Sequence, residues 1–416
     1  MPKLRKDIAW SLYDWANSAF ATSIMVGLFP VFFKQYWAKD LALEESTFWL
    51  GAISAGYAAI VAVTAPFLGA IADNRNSRKS FLFAMMLLGS VASLMLAFIG
   101  PGAWPLAGAV FALGGVGFAL GNVFYDSLLT EVATPATVDK VSSQGFAMGY
   151  LGGGMLFIFH IILLSKPELI GVTEKTTVVK LAFASVGLWW FVFALPLFFK
   201  VPETKRPTEE SRGSIAMLKA TVKDIASRKP VWMFLVAYFL FIDGVNTISK
   251  MAVDFGINLG FGTDKLMASL VVVQLVAFPA TFAGGYLAGR FGAKRCLLAA
   301  IGIYMAVVLY AFSLKAEWQF FVMAGMIGCA IGVVPALSRA VFTQMIPPGK
   351  SAEYFGLYGI FGRFAAIFGP LLLGWITVTF NNPRLGILSV GILLVAGAVV
   401  LWFVEVPKRQ DFDGPL

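Results

Sequence analysis

Long apolar segments recur along almost the whole chain and are separated by shorter polar stretches. Twelve of them reach the length of about 20 residues that a helix needs to cross a hydrocarbon core of about 30 Å. They lie at 9–37, 48–72, 80–99, 105–131, 141–165, 178–200, 231–256, 266–289, 296–314, 318–346, 354–380 and 385–405. A membrane β-barrel would show weak alternation over about 10 residues instead. The pattern therefore predicts an all-α membrane protein with twelve transmembrane helices.

The composition agrees with a polytopic membrane protein. Of the 416 residues, 59% are hydrophobic and 13% are charged, whereas soluble domains carry about 45–50% and about 25%. An ordinary soluble enzyme is thereby excluded. Two cysteines, Cys296 and Cys329, lie in apolar segments, and the single histidine is His160. These three residues make no transition-metal set, so we expect neither a metal nor a cofactor.

The positive charge of the chain is unevenly distributed among its loops. The net charge is +9, and with the N-terminus placed inside, most of the lysines and arginines fall in inner loops and tails. The positive-inside rule then predicts that both termini are cytoplasmic and explains the basic pI without a nucleic-acid partner. The basic start at Lys3, Arg5 and Lys6 precedes an apolar segment that Asp14 and Asn17 interrupt, which favours an uncleaved first helix over a signal peptide. Compact loops favour a bacterial inner membrane.

The longest polar stretch divides the predicted helices into two groups of six. We expect an N-terminal bundle at 1–200, a cytoplasmic linker at 201–230, and a C-terminal bundle with a short tail at 231–416. The segment Ile215–Arg228 mixes apolar residues with basic ones. This segment is either an interfacial amphipathic helix or a plain solvated linker.

A sequence repeat relates the two halves. Gly69-Ala-Ile-Ala-Asp73-Asn-Arg75-Asn-Ser-Arg78-Lys79 recurs 216 residues later as Gly285-Tyr-Leu-Ala-Gly289-Arg290-Phe-Gly292-Ala-Lys294-Arg295, each time between the second and third helices of its half. Both copies resemble the signature loop of the major facilitator superfamily, although Gly289 replaces the acid in the second. The resemblance implies two pseudo-symmetric six-helix bundles. It also implies a gating role for the charged loop residues, which are Asp73, Arg75, Arg78, Lys79, Arg290, Lys294 and Arg295.

Two further motifs refine the resemblance. Trp10-Ser-Leu-Tyr13-Asp14-Trp15-Ala-Asn17-Ser-Ala-Phe20 is similar to the first-helix motif of the "unknown major facilitator" branch, whose fungal relatives are vacuolar amino-acid effluxers. This similarity implies an organic-solute exporter, with amino acids as a candidate cargo. In helix five, 145–154 resembles the antiporter motif, with Tyr150 in place of proline. The spacing of Gly145, Gly149 and Gly153 equally suits close helix packing.

Polar and ionisable residues inside the predicted helices are the strongest functional signal. Each charge costs about 2.5–3.5 kcal/mol on insertion scales and normally faces a cavity. In the facilitator fold, the first, fourth, seventh and tenth helices line the central cavity, and they carry most of these residues. The candidate substrate- and proton-binding residues are Asp14, Asn17, Asn122, Tyr125, Asp126, Asp243, Asn246, Lys250, Gln274, Arg339 and Arg363.

Spacing places several of these candidates on common helix faces. Asp243, Asn246 and Lys250 are three and four residues apart, so they share one stripe of helix seven. Asp243 and Lys250 could hold the two ends of a zwitterion or pair with other groups. Asp14 is either a site residue or a residue that caps the helix near its inner end. His160 is either a titrating proton carrier or a histidine whose ring nitrogens are hydrogen-bonded.

These observations predict a secondary active transporter and not an enzyme, since no nucleotide-binding loop or catalytic triad stands out. We expect alternating access for a small polar or zwitterionic organic solute, with export favoured and with proton coupling through Asp126, Asp243 or Asp14. Two alternatives remain: a transporter of an amphiphile such as a drug or lysolipid, and a non-transporting receptor or scaffold. The expected partners are the solute, protons and the lipid bilayer, and we expect a monomer.

Two gating contacts follow from the motifs. Asp73 is expected to meet a cation or a helix N-terminus near the start of helix eleven, around Ser351–Tyr354. Thr130-Glu131 with Pro135 aligns with Thr343-Gln344 and Pro348 at an offset of 213, which maps Asp126 onto Arg339. We therefore predict an ion pair between Asp126 and Arg339 when the inner side is closed. The alternative is that Arg339 binds helix-end carbonyls or the substrate.

Overall fold

A computed structural model describes residues 5–204 and 214–406, and in these ranges it contains helices and turns but no strand. The predicted all-α fold is confirmed. Within the described residues, eleven helical segments are long and apolar enough to cross a membrane, and they coincide with eleven of the twelve predicted spans. The remaining span, 354–380, lies in a long helix with an apolar stretch at Phe368–Thr377.

The first six predicted spans correspond to eight α-helices. They are α1 (Lys6–Ala19), α2 (Phe29–Phe32), α3 (Leu43–Asn74), α4 (Arg78–Leu96), α5 (Trp104–Ser127), α6 (Leu129–Val132), α7 (Val138–Ser165) and α8 (Lys175–Lys200). The first span is irregular, because π-helical turns occupy Phe20–Leu28 and Phe33–Trp37. Pro30 lies between them and lacks the N–H that a regular α-helix would use.

The linker and the last six spans form the other eight helices. They are α9 (Ser214–Ser227), α10 (Lys229–Asn258), α11 (Thr263–Phe291), α12 (Ala293–Phe312), α13 (Glu317–Ile331), α14 (Val333–Thr343), α15 (Ser351–Phe380) and α16 (Pro383–Phe403). Helices four and ten of the sequence prediction are each broken once, at Leu128 between α5 and α6 and at Gly332 between α13 and α14.

The repeated loops are shorter than the sequence predicted. Arg78 and Lys79 were expected in the first loop, but they begin α4. Lys294 and Arg295 likewise lie in the first turn of α12, which begins directly after a residue with positive φ. That residue is Gly292 at φ 92° in the second loop, and its counterpart in the first loop is Asn76 at φ 49°. Glycine and asparagine are the residues that most readily adopt a positive φ, and both loops place one of them at the same position of the repeat.

The described residues group into two compact units. One contains those of Met1–Val132 and Met148–Ser211, and the other contains those of Ala133–Ala147 and Arg212–Leu416. The helix α7 contributes to both, since its first ten residues pack in the second unit. Glycines allow close helix contacts inside each unit. A Cβ at Gly117 of α5 would lie 2.7 Å from the backbone N of Gly89 in α4, and one at Gly397 of α16 would lie 2.7 Å from that of Phe241 in α10.

The segment predicted as a linker contains the helix α9, and the position of this helix at a membrane interface stays a prediction. The side chains of 214–219 lie outside the described residues, whereas Thr221 and Ile225 are buried. Asp224 accepts hydrogen bonds from the Tyr354 hydroxyl at 2.7 Å and from Arg228 Nε at 2.8 Å. These bonds fix the end of α9 to the start of α15.

The environment of Asp224 favours its charged form. Burial alone raises the pKa of this carboxyl, but hydrogen bonds from Arg228 and Tyr354 and the nearby charge of Lys350 outweigh it, and the resulting pKa lies below its usual value. Because the folded-state pKa is the lower one, the contact contributes to stability at neutral pH. Its contribution is lost as the pH falls through that lowered pKa.

Candidate functional site

In the first unit, the polar residues of the first-helix motif converge on α5. Asp14 is 8% exposed and accepts a hydrogen bond from the Tyr125 hydroxyl at 2.9 Å. The Tyr125 ring stacks on Trp10 at 4.3 Å and on Tyr13 at 4.9 Å between centroids. Trp10 Nε1 also donates to the Tyr125 carbonyl oxygen at 3.0 Å. Stacking against Trp10 and Tyr13 therefore helps to hold the Tyr125 side chain that binds Asp14.

One turn further along α1, an amide pair continues the same face. Asn17 Nδ2 donates to Asn122 Oδ1 at 2.7 Å, and Asn17 is almost completely buried. Asp126 lies one turn beyond Asn122 on α5 and is partly exposed. The structure thus brings the candidates Asp14, Asn17, Asn122 and Tyr125 together, and their binding of a substrate or a proton stays a prediction. The remaining amide hydrogens and oxygens of such a pair can bind the polar groups of a small solute.

The other face of the first-helix motif has a packing role. A Cβ at Gly149 of α7 would lie 2.6 Å from Ser18 Oγ, and one at Gly153 would lie 2.8 Å from the Ser18 carbonyl oxygen. Trp15 stacks on Trp189 of α8 with centroids 5.7 Å apart. The predicted packing role of Gly149 and Gly153 is therefore confirmed.

His160 lies in a hydroxyl-lined position inside the first unit. Its Nδ1 is 3.1 Å from Ser23 Oγ, and its Nε2 is 2.8 Å from Ser185 Oγ. The Ser185 hydroxyl donates to the Ala182 carbonyl oxygen at 2.8 Å, so its oxygen accepts from Nε2–H. Both ring nitrogens are thus hydrogen-bonded, as the second interpretation of this residue expects. Neither serine was a candidate, because nothing in the sequence marks them as neighbours of His160.

In the second unit, Asp243 is fully buried near the middle of α10. Both of its carboxylate oxygens accept from the backbone N–H of Gly369 in α15, at 2.9 and 2.8 Å. On the same helix, Asn246 is half-buried and Lys250 is exposed. Sequence reasoning found Asp243 but not its partner, because a backbone donor leaves no side-chain signal.

Two other candidates in this unit are less defined. Gln274 lies on α11, and within the described part of the chain its buried Oε1 has no hydrogen-bond partner. Arg363 lies on α15, but its side chain is outside the described residues.

Arg339 of α14 binds the start of α7. Its Nε donates to Ser142 Oγ at 2.9 Å, one terminal nitrogen donates to the Ser142 carbonyl oxygen at 2.8 Å, and its guanidinium lies 4.3 Å from the Phe146 ring centroid. Ser142 in turn donates to the Ala336 carbonyl oxygen at 2.7 Å. Binding to a backbone carbonyl is part of the alternative stated for Arg339. Asp126 belongs to the other unit, and its pairing with Arg339 stays a prediction.

Two of the residues predicted to gate, Asp73 and Arg78, form a buried ionic cluster with two acids that were not predicted as candidates. Arg78 contacts Glu131 at 2.5 Å, Glu203 at 3.5 Å and Asp73 at 3.8 Å. Thr204 donates its hydroxyl to Glu131 at 2.7 Å. A buried arginine normally has anionic partners. An arginine between two membrane helices was therefore the sequence signal that could have pointed to nearby acids such as Glu131 and Glu203. The expected contact of Asp73 near Ser351–Tyr354 joins residues of different units and stays a prediction.

The two copies of the loop also share a helix-capping contact. Lys79 Nζ donates to the carbonyl oxygens of Phe198 and Val201 at 2.9 and 2.7 Å, at the end of α8. Lys294 Nζ donates to those of Trp402 and Val404 at 2.6 and 2.7 Å, at the end of α16. A lysine side chain stabilises a helix C-terminus, because the last carbonyl groups of the helix have no N–H partner within it. The other basic loop residues are exposed, namely Arg75, Arg290 and Arg295.

Comparison with known proteins identifies the family of this chain. The family model described as "Vacuole effluxer Atg22 like" matches residues 44–137 and 130–411, and the chain belongs to this family. The uncharacterized MFS-type transporter YxiO of Bacillus subtilis is 36% identical over 98% of this chain and 96% of its own. Autophagy-related protein 22 of Coccidioides immitis is 24% identical over 98% of this chain and 88% of its own.

Solved structures share the fold. The fucose:proton symporter FucP of E. coli superimposes with a TM-score of 0.73 over 97% of this chain and 98% of its own, at 12% identity. The human organic anion transporter MFSD10 (TETRAN) gives a TM-score of 0.73 over 96% of this chain and 100% of its own, at 16% identity. Together with the family match and the similarity to the Bacillus subtilis transporter, this fold identifies the chain as an integral multi-pass membrane protein and a major facilitator transporter, not an enzyme.

Proposed function

We propose that this chain exports a small polar or zwitterionic organic solute by alternating access, driven by protons that Asp243 carries. Amino acids are the first cargo class to test, because the family is described by its vacuole effluxers. Asp126 and Asp14 are the alternative proton carriers. The relative from Bacillus subtilis supports a bacterial cytoplasmic membrane as the location.

The observation that carries this proposal is a buried carboxyl group in the first long helix of each predicted half. Asp14 contacts a tyrosine hydroxyl and Asp243 contacts a backbone amide. Burying a charged group costs free energy, so a site that retains one normally uses it. A carboxyl that gains and loses a proton during the cycle meets this requirement.

The polar residues beside these carboxyls suit a zwitterion more than an apolar cargo. The Asn17–Asn122 pair offers donors and acceptors in the first unit. Asn246 and Lys250 add an amide and an ammonium group along α10 in the second. An α-carboxylate and an α-ammonium group need both kinds of partner.

Counterflow in proteoliposomes tests the transport claim. Liposomes that contain the purified protein and are loaded with unlabelled amino acid should take up labelled amino acid, and Asn122→Ala should reduce the rate because Asn17 loses its partner. Ser54→Ala is the matched control, since this hydroxyl donates to the Leu50 carbonyl of its own helix and not to another candidate residue among those that the structure describes. A ligand that raises the thermal midpoint without counterflow would indicate a receptor, and counterflow of lysolipids alone would indicate an amphiphile transporter.

A further inference from the structure

The contact between Asp243 and Gly369 joins two long helices of the second unit through a carboxylate and a backbone amide. Gly369 N lies 2.9 Å from Oδ1 and 2.8 Å from Oδ2 of Asp243. The Thr247 hydroxyl, one turn along α10, donates to Oδ1 at 3.4 Å. We call the bond between the Asp243 carboxylate and the Gly369 N–H the Asp243–Gly369 tether.

The tether lies next to a proline inside α15. Pro370 follows Gly369 directly, and it has no N–H to donate to the carbonyl four residues earlier, at Ala366. Its ring also crowds that carbonyl, which is why a proline inside a helix bends it. The backbone hydrogen bond that α15 lacks at Pro370 is therefore next to Gly369, the residue that binds Asp243 of α10.

Close packing makes the tether specific to glycine. A Cβ at Gly369 would lie 2.0 Å from Thr247 Oγ1 and 2.7 Å from Asp243 Oδ1. Asp243 and Thr247 are both fully buried. The bond therefore forms in a site without room for water between the two helices, where a hydrogen bond to a charged acceptor is strong.

The charge on Asp243 determines how strongly it binds the amide. A carboxylate accepts at both oxygens, whereas a protonated carboxyl gives one oxygen to an O–H donor and binds as a neutral acceptor. Charge-assisted hydrogen bonds are roughly twice as strong as neutral ones. Protonation therefore weakens the tether without removing either residue.

We propose that the Asp243–Gly369 tether is a proton-sensitive hinge: loading a proton on Asp243 releases the part of α15 beyond Pro370 to change its angle to α10. This inference rests on the proposed function, because it specifies how a proton bound at Asp243 changes the protein's conformation. The moving segment is 371–380, the last third of α15.

Other ionisable groups around the hinge are on several helices. Lys250 acts on Asp243 from the same helix, and Arg363 precedes Gly369 by six residues on α15. The elements packed against α10 also carry Asp224, Arg290, Lys294, Glu317, Arg339, Glu353 and Arg384, with Tyr304 bonded to Ser249. Asp243 is the residue whose carboxylate binds the Gly369 amide. Replacing Asp243 therefore distinguishes its titration from the titration of these other groups.

Spin-label distances test the hinge in the full chain reconstituted in nanodiscs. Labels at Phe380, beyond Pro370, and at Leu309 of α12 are both on exposed positions of one unit, in a background where Cys296 and Cys329 are replaced by serine. Lowering the pH should shift the mean distance of this pair. A second pair, Phe364 and Leu309, lies before the proline and should shift much less.

Three variants separate the hinge from other pH effects. Asp243→Asn should show the low-pH distance at every pH, and Pro370→Ala, which restores the missing N–H, should lose the pH response. Pro279→Ala is the matched control, since Pro279 lies inside α11, and it should respond like the wild type. A wild-type pair that does not respond, or an Asp243→Asn or Pro370→Ala protein that responds fully, would overturn the hinge. Transport that proves independent of protons while the distances still respond would instead overturn the proposed function.

Discussion

Replacing Arg78 by alanine is expected to destabilise the protein by about 3–5 kcal/mol, the usual result of breaking a buried ion pair from one side. The guanidinium lies within 4 Å of Asp73, Glu131 and Glu203, and its own side chain is 5% exposed. Its removal leaves three carboxylates close together and poorly solvated. The thermal midpoint of the purified protein should fall by several degrees or more.

Two comparisons make this expectation specific. Arg75→Ala removes a cation from the preceding turn, but Arg75 is exposed, so its midpoint should stay close to that of the wild type. Arg78→Ala combined with Glu131→Gln removes one of the stranded charges and should recover part of the loss. An Arg78→Ala midpoint equal to that of Arg75→Ala would show that the cluster does not stabilise the fold.

Reversing either charge of the predicted Asp126–Arg339 gate should reduce the transport rate at least about tenfold. A tenfold loss corresponds to an increase of about 1.4 kcal/mol in the activation free energy. Close charge pairs couple by about 1.5–7 kcal/mol, which is enough to bias two conformations. Asp126→Arg and Arg339→Asp should each impair counterflow. The double variant restores opposite charges and should regain part of the rate.

The recovery should be partial, because Arg339 also holds Ser142 and Phe146. Arg339→Lys keeps the charge but loses this two-point contact, so it measures the local contribution alone. Lys166→Asp is the matched charge reversal on an exposed residue outside the predicted gating loops and should leave the rate near that of the wild type. A double variant no more active than the product of the two single effects would argue against the gate.

The sequence predicted the fold well because hydrophobic length is a direct consequence of the bilayer. Each of the twelve apolar segments has a helical counterpart, and the repeated loop was visible in the sequence as the two aligned segments 69–79 and 285–295. The π-helical turns at Phe20–Leu28 were not predictable in this way. They leave the apolar run unbroken, so hydropathy carries no trace of them.

The candidate site was only partly predictable, because side-chain patterns do not reveal backbone partners. Asp14, Asn17, Asn122 and Tyr125 were each selected from the sequence, since each is polar within an apolar helix, but their contacts with one another were not predicted. The partners of Asp243 and Lys79 are a backbone N–H and backbone carbonyls. Glu131 and Glu203 lie at the ends of helices, where an acid is ordinary in sequence and becomes informative only beside Arg78.

Proton-driven transport by this protein requires a group that carries the proton, and we propose Asp243 for this role. Asparagine at this position keeps the size of the side chain and one oxygen for Gly369, but it cannot be protonated in the working pH range. Asp224→Asn, on the linker helix α9, removes a carboxyl outside the membrane helices and serves as the matched control.

The decisive measurement is accumulation of the cargo identified by counterflow in proteoliposomes, with and without an imposed pH gradient. The wild type and Asp224→Asn should accumulate cargo against its gradient. Asp243→Asn should lose this pH-driven accumulation and retain energy-independent exchange. Accumulation by Asp243→Asn at the wild-type level under the same pH gradient would show that Asp243 does not carry the transported proton.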